Sequence, residues 1–137
     1  MKIKYNCWTG IEMLEVHTLD LDGDCVEGYH HFAEGEPLHL SENKGHVFLQ
    51  HCLFEIEGKE INWIEGDVIA FNQDDSLFVI VWDKKLGRFG IQYISHEPGT
   101  ILWLENWHFE VTFKLGNIFE MKGLKNKKNI LKHYGWI

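Results

Sequence analysis

Residues 56–71 read IEGKEINWIEGDVIAF, a polar, acidic run that closes on Glu65-Gly66-Asp67 just before the apolar segment Val68, Ile69, Ala70 and Phe71. The stretch reads as an extended segment that crosses Gly58, Lys59, Glu60 and Ile61 and then turns sharply. At Gly66 the absence of a Cβ lets the chain reverse at low steric cost. Asp67 has a short side chain suited to accepting backbone N–H groups at a turn. The tripeptide Glu65, Gly66 and Asp67 is therefore expected to be a structural turn that admits the chain to a buried strand, as in small SH3-like barrels, with a ligand site as the alternative.

Working outward, the flanking sequence is rich in β-branched and aromatic residues arranged as short runs between polar turns. DVIAF, SLFVIVW and RFGIQYI follow one another across NQDD and DKKLG, which predicts a continuous three-stranded antiparallel meander over residues 67–94. TILWL, and FEVTFKL or GNIFEM, complete this half. Upstream, MKIKYNCW sets Met1, Ile3, Tyr5 and Cys7 against Lys2, Lys4 and Asn6, the period of two of a half-buried strand. MLEVHTLDLDGDCVEGYHHF reads as two strands joined at Asp22-Gly23, and AEGEPLHLSENKG reads as a polar loop. The expected class is mainly β and antiparallel, with N-terminal strands over 1–56 and a barrel-like half over 57–121.

Composition is compatible with a folded domain of this kind. The chain has 137 residues, of which 45% are hydrophobic and 14% aromatic, including six Trp and nine Phe, enough to furnish one core. No stretch approaches the ~18 consecutive apolar residues of a membrane span, and the N-terminus lacks the apolar segment of a signal peptide. A cytoplasmic protein is expected. Cys7, Cys25 and Cys52 are odd in number and without CxxC spacing, which fits reduced thiols better than a disulfide framework.

The order of these features resembles the YopX family, small proteins of bacteriophages and prophages, over most of residues 1–121. MKIKYNCW with EML shortly after it is similar to the start of that family. LQHCLFEIEGKEINWIEGDVI is similar to its most distinctive run, VIVWDKKLGRFGI to its strand, turn and Arg-Phe strand, and FEVTFKLGNIFE to its closing segment. The resemblance implies a single mostly β domain over 1–121 with a compact barrel-like C-terminal half. It brings no assigned activity. Where the family ends in Asn-Pro-Glu-Leu, this chain carries a basic tail over 122–137.

Motifs of catalysis and metal binding are weak throughout. Ser41, Ser76 and Ser95 lack a nucleophile-elbow context, and no HExxH, P-loop or dinucleotide glycine pattern occurs, so no enzyme is expected. Asp20, Asp22 and Asp24 fail the register of a calcium loop, with Cys25 where Gly is required and His31 where the terminal Glu belongs. His30, His31, His39, His46, His51 and Cys52 form the densest group of metal-ligand types. Adjacent strand residues point to opposite faces, which disfavours zinc. No metal or cofactor is expected.

Partners follow from charge and aromatics. The net charge is −8, with 21 Asp and Glu against 13 Lys and Arg. Five of those 13 bases lie in residues 121–137 with no acid, leaving −13 on the body and +5 on the tail. An acidic body disfavours phosphate backbones, so nucleic acid is the less favoured partner. Trp103 and Trp107 bracket a polar turn; they are expected first as core or barrel-lining residues, with an aromatic interface patch as the sharper alternative. A homo-oligomer or a host or phage protein is the expected partner, and a noncatalytic accessory protein the expected role. The alternative is a nucleic-acid accessory factor contacting phosphates through the tail. In that tail Lys122, Lys125, Lys128 and Lys132 fall at helical spacing, which predicts a short helix docked on an acidic surface of its own or a neighbouring subunit through Leu131 and Trp136, with a disordered solvated end as the alternative.

Overall fold

A computed structural model describes residues 4–21, 23–56, 58–71, 76–105 and 112–137, with backbone alone for 53–56 and 59–61. Within them the chain is mainly antiparallel β and forms two compact units, Met1–His51 and Cys52–Ile137. Among the described residues no helix is long and apolar enough to cross a membrane.

In the first unit the alternating N-terminus forms β1 (Tyr5–Trp8), paired antiparallel with β2 (Met13–Glu15) on one side. On its other side runs the first part of β6 (Val47–Ile56), in a register that sets Cys7 opposite Phe48. A second sheet holds β3 (Thr18–Asp20), β4 (Glu27–His30) and β5 (Leu38–Ser41) in that order. Two expectations are corrected here. The run 13–32 contains three strands, because the chain leaves β1 at Val16 and begins a new ladder at Thr18. Its turn is also longer than Asp22-Gly23, since Asp20 already pairs with Glu27; Asp22 itself lies outside the described residues. The stretch 33–45 is likewise more than a polar loop. Leu38 and Leu40 flank His39 in a four-residue strand too short to announce itself, and Ser41 then caps a 3-10 turn by accepting the Asn43 N–H at 3.2 Å.

In the second unit β7 (Lys59–Ile64) lies beside the continuation of β6, and the chain then turns into a separate five-stranded sheet that curls into a half-barrel. Its order is β11 (Ile101–Trp103), β10 (Arg88–Tyr93), β9 (Leu77–Asp83), β8 (Asp67–Phe71) and β12 (Thr112–Asn117), all antiparallel. The meander expected over 67–94 is present. One face carries Ile69, Phe78, Ile80, Phe89 and Ile91, which pack with Cys52 and Leu104 and are flanked by Trp63, Phe71, Trp82 and Tyr93. Edge-on ring pairs, such as Trp82 with Phe89 at 4.8 Å between centroids, fill this core.

The other face carries Val68, Val79, Val81 and Gln92, all fully buried. The C-terminal segment covers it at Gln92. There the Gln92 Oε1 accepts the Tyr134 hydroxyl at 2.6 Å and the Gly99 N–H at 2.8 Å, while its Nε2 donates to the carbonyls of Tyr93 and Glu97. A buried amide with both ends engaged carries no desolvation debt.

The tail ends in helix α1 (Lys127–His133), closed by a Schellman motif. Gly135 takes φ +72°, its N–H donates to the Lys132 carbonyl, and the Trp136 N–H donates to the Leu131 carbonyl at 2.8 Å. That geometry swings Trp136 back beneath the helix, where its ring lies 5.7 Å from Phe119. Leu131 and Trp136 are buried, and Ile130 is buried completely.

Candidate functional site

Three places hold residues singled out by the sequence. The first is the corner between β7 and β8. Gly66 takes φ +85°, where a Cβ would also sit 3.1–3.3 Å from the Asn117 amide and the Ile118 side chain. Its N–H donates to the Ile80 carbonyl at 2.8 Å, and its carbonyl accepts the Ile118 N–H at 2.7 Å. The turn is thus stitched to both strands it enters between. Asp67, with a side chain only 5% exposed, accepts the Ile64 N–H at 2.9 Å and the Asn117 amide at 3.1 Å, with the Lys114 ammonium 3.7 Å away. Asn117 also donates to the Glu65 carbonyl and accepts the Phe119 N–H. Glu65, Gly66 and Asp67 therefore form a satisfied structural hub; Asn117, fifty residues downstream, is the member the sequence did not reveal.

Burial pushes the Asp67 carboxyl above its ordinary value, more strongly than the Ile64 N–H, Lys114 and Asn117 pull it down. The folded chain consequently holds this proton more tightly than the unfolded chain. The resulting stabilisation is complete below the ordinary carboxylate range and is lost as pH rises through the raised value. The stability difference between wild type and Asp67→Asn should shrink as pH is raised from about 4 to about 7, read from denaturant midpoints at each pH; a difference that grows would contradict this assignment.

The second place is the β11 edge. Trp103 is 49% exposed and pairs with Gly90, over which the Ile101 side chain and the Leu102 carbonyl pack so closely that a Cβ there would clash. Arg88, two residues before Gly90 on the same face, sets its guanidinium 3.8 Å from the Trp103 ring centroid. Leu102 is 53% exposed beside it. Trp107 lies outside the described residues.

The third place is the tail. The expected single lysine-lined face is corrected, because α1 begins only at Lys127. Gly123 and Asn126, both at positive φ, break the chain between Lys122, Lys125 and the helix. Lys122, Lys125, Lys128 and Lys132 are all exposed, and among the described residues none forms an ion pair. Lys127, by contrast, donates to the Met121 carbonyl at 2.6 Å. The described docking contacts are apolar and hydrogen-bonded, through Ile130, Leu131, Trp136, Asn126 and Tyr134.

The histidines divide between separate places. His17 joins His30 and His31, with ring centroids 4.9 and 5.8 Å from its own. Its Nδ1 accepts the His31 N–H at 2.9 Å. His39 lies 3.8 Å from Glu27, His46 accepts the Ser41 N–H, and His51 bonds Asn6. Among the described residues no group of three or more His, Cys, Asp or Glu is arranged to hold a metal ion. The three cysteines are free. Burial pushes the Cys7 thiol up to about 12, and burial aided by the charges of Asp67 and Glu65 raises Cys52 as well, so both are poor nucleophiles.

Comparison with protein-family models and with curated proteins returns no match. Among solved structures, the crystal structure of protein YopX from Bacillus subtilis is similar, with a TM-score of 0.54 at 12% identity, covering 88% of this chain and 96% of that one. A likeness at that identity is one of fold, and it coincides with the resemblance read from the sequence: the chain has the YopX fold.

Proposed function

We propose that this chain is a noncatalytic accessory protein of a phage or prophage, acting by protein–protein contact in a bacterial host's cytoplasm, with a second copy of itself among its partners. The observation that supports this reading is the exposed Trp103 on the edge strand β11, with the half-buried Arg88 of β10 stacked on its ring. Trp and Arg are the residue types enriched at interface hot spots, and an edge strand offers unpaired backbone groups beside them. At about 20–100 µM, where interfaces of ordinary size form, the wild type should sediment above its 16.1 kDa monomer mass. The double variant Arg88→Ala with Trp103→Ala should sediment as monomer with an unchanged far-ultraviolet spectrum. Identical sedimentation of the two proteins would refute the β11 surface. Affinity capture from host lysate, comparing the same two proteins, extends the test to other partners.

A second reading rests on a separate observation, the exposure of Lys122, Lys125, Lys128 and Lys132 without acidic partners among the described residues. It makes the chain a nucleic-acid accessory factor. Fluorescence anisotropy with a labelled oligonucleotide should then show salt-sensitive binding, with a salt slope reduced by about one for each lysine replaced by Ala. No binding at low salt removes this reading.

A further inference from the structure

A cleft of about 490 Å³ opens in the second unit where the ends of β9 and β10 meet the segment that precedes α1. Its size falls within the ~300–1,000 Å³ of small-molecule sites. The strand ends are joined by the Ile94 N–H donating to the Leu77 carbonyl at 3.0 Å. The segment arching over them is fastened by the Asn126 amide, which donates to the Ile94 carbonyl at 3.1 Å, and by Lys127, bonded to the Met121 carbonyl. The arch is therefore tied to the strand end at Asn126 and closed on itself through Lys127.

The lining is chemically divided. Leu77, Ile94, Leu124 and the Tyr93 ring supply an apolar bed. Tyr93 is fixed from two sides, with its hydroxyl bonded to Ser76 and its ring stacked on His96 at 4.4 Å between centroids. Ser95 and Lys125, both exposed, are the cleft's other hydroxyl-bearing and cationic lining residues. Among the described residues neither has an internal hydrogen-bond or ion-pair partner, and no carboxylate lines the cleft. One cation and one hydroxyl facing an apolar bed match a single anionic head attached to an apolar body.

We propose that this cleft binds a small organic monoanion of the carboxylate class, its apolar body on Leu77, Ile94, Leu124 and Tyr93 and its head on Lys125 and Ser95. This goes beyond the protein–protein reading and uses none of the residues assigned to it. Octanoate is the probe, titrated into the intact chain by calorimetry and by amide chemical shifts. Saturable binding is expected below about 10 mM, with the largest shift changes at Ser95 and Lys125. Lys125→Ala should weaken binding about tenfold, the loss of one charge-assisted hydrogen bond. Octanol should bind about tenfold more weakly than octanoate for the same reason. Leu124→Gln, on the partly exposed arch, should weaken octanoate and octanol alike. Absence of saturation, shift changes elsewhere in the chain, or equal affinities for octanoate and octanol would each overturn the proposal. Failure here leaves the sedimentation result for Arg88 and Trp103 unaffected, so the two readings are tested apart.

Discussion

Truncation after Met121 should leave a chain that does not fold stably, at low salt and at physiological salt alike. The deleted segment buries Ile130 completely and leaves Leu131 and Trp136 only 8% and 6% exposed. At about 1.5–3 kcal/mol for each fully buried large apolar side chain, these three contribute about 4.5–9 kcal/mol. That is comparable with the whole stability of a typical domain, about 5–15 kcal/mol. Deletion also strips the Tyr134 hydroxyl from fully buried Gln92, leaving one lone pair of that amide without its donor. The smaller change Trp136→Ala should cost about 3–5 kcal/mol, seen as a lowered denaturant midpoint at unchanged slope. Because the docking is apolar, salt should alter these losses little. A truncated chain that keeps its midpoint, or one that is lost only at high salt, would show that the tail is held by charge after all.

Asp67→Ala should lower stability by about 2–6 kcal/mol, since it strands the buried Ile64 N–H and one N–H of the Asn117 amide, each costing about 1–3 kcal/mol when left unpaired. The exposed side of Lys114 limits any further cost, as that ammonium can turn to water. Asn117→Ala should cost a similar amount, and the double variant markedly less than the sum, because the two side chains serve one network. Gly66→Ala adds an independent penalty of about 1–2 kcal/mol from the left-handed backbone alone, with contact against Asn117 and Ile118 on top of it. A loss below about 1 kcal/mol for Asp67→Ala would mean that the corner is held by Gly66 and its two strand bonds, with Asp67 incidental.

Much of this molecule is written in local sequence. Strands β8, β9 and β10 are legible because each is an apolar run with its own turn, and the Asp83 side chain that accepts the Lys85 N–H sits within the DKKLG turn it closes. Glu65, Gly66 and Asp67 could be read as a turn for the same reason: positive φ and an N–H-accepting side chain are properties of neighbouring residues. The end of α1 was open to the same kind of reading, since Gly135 after Lys132 and His133 is a C-terminal helix signal that places Trp136 beside Leu131. Short β5 and the division of 13–20 into two strands were not legible, because three or four residues carry too little periodicity to separate strand from loop.

What tertiary structure alone decided is which distant residues meet. Asn117 reaches Asp67 across fifty positions, and Tyr134 reaches Gln92 across forty-two. Arg88 lies on Trp103 only because the β10–β11 register places Gly90 opposite the indole. The cleft near Lys125 exists because Asn126 is tied to Ile94. Even the tail's docking mode belonged to this level: its lysines suggested attraction to an acidic body, but the burial of Ile130, Leu131 and Trp136 governs the contact. Side-chain periodicity is a property of the chain, whereas register, and the burial that follows from it, is a property of the packed sheets.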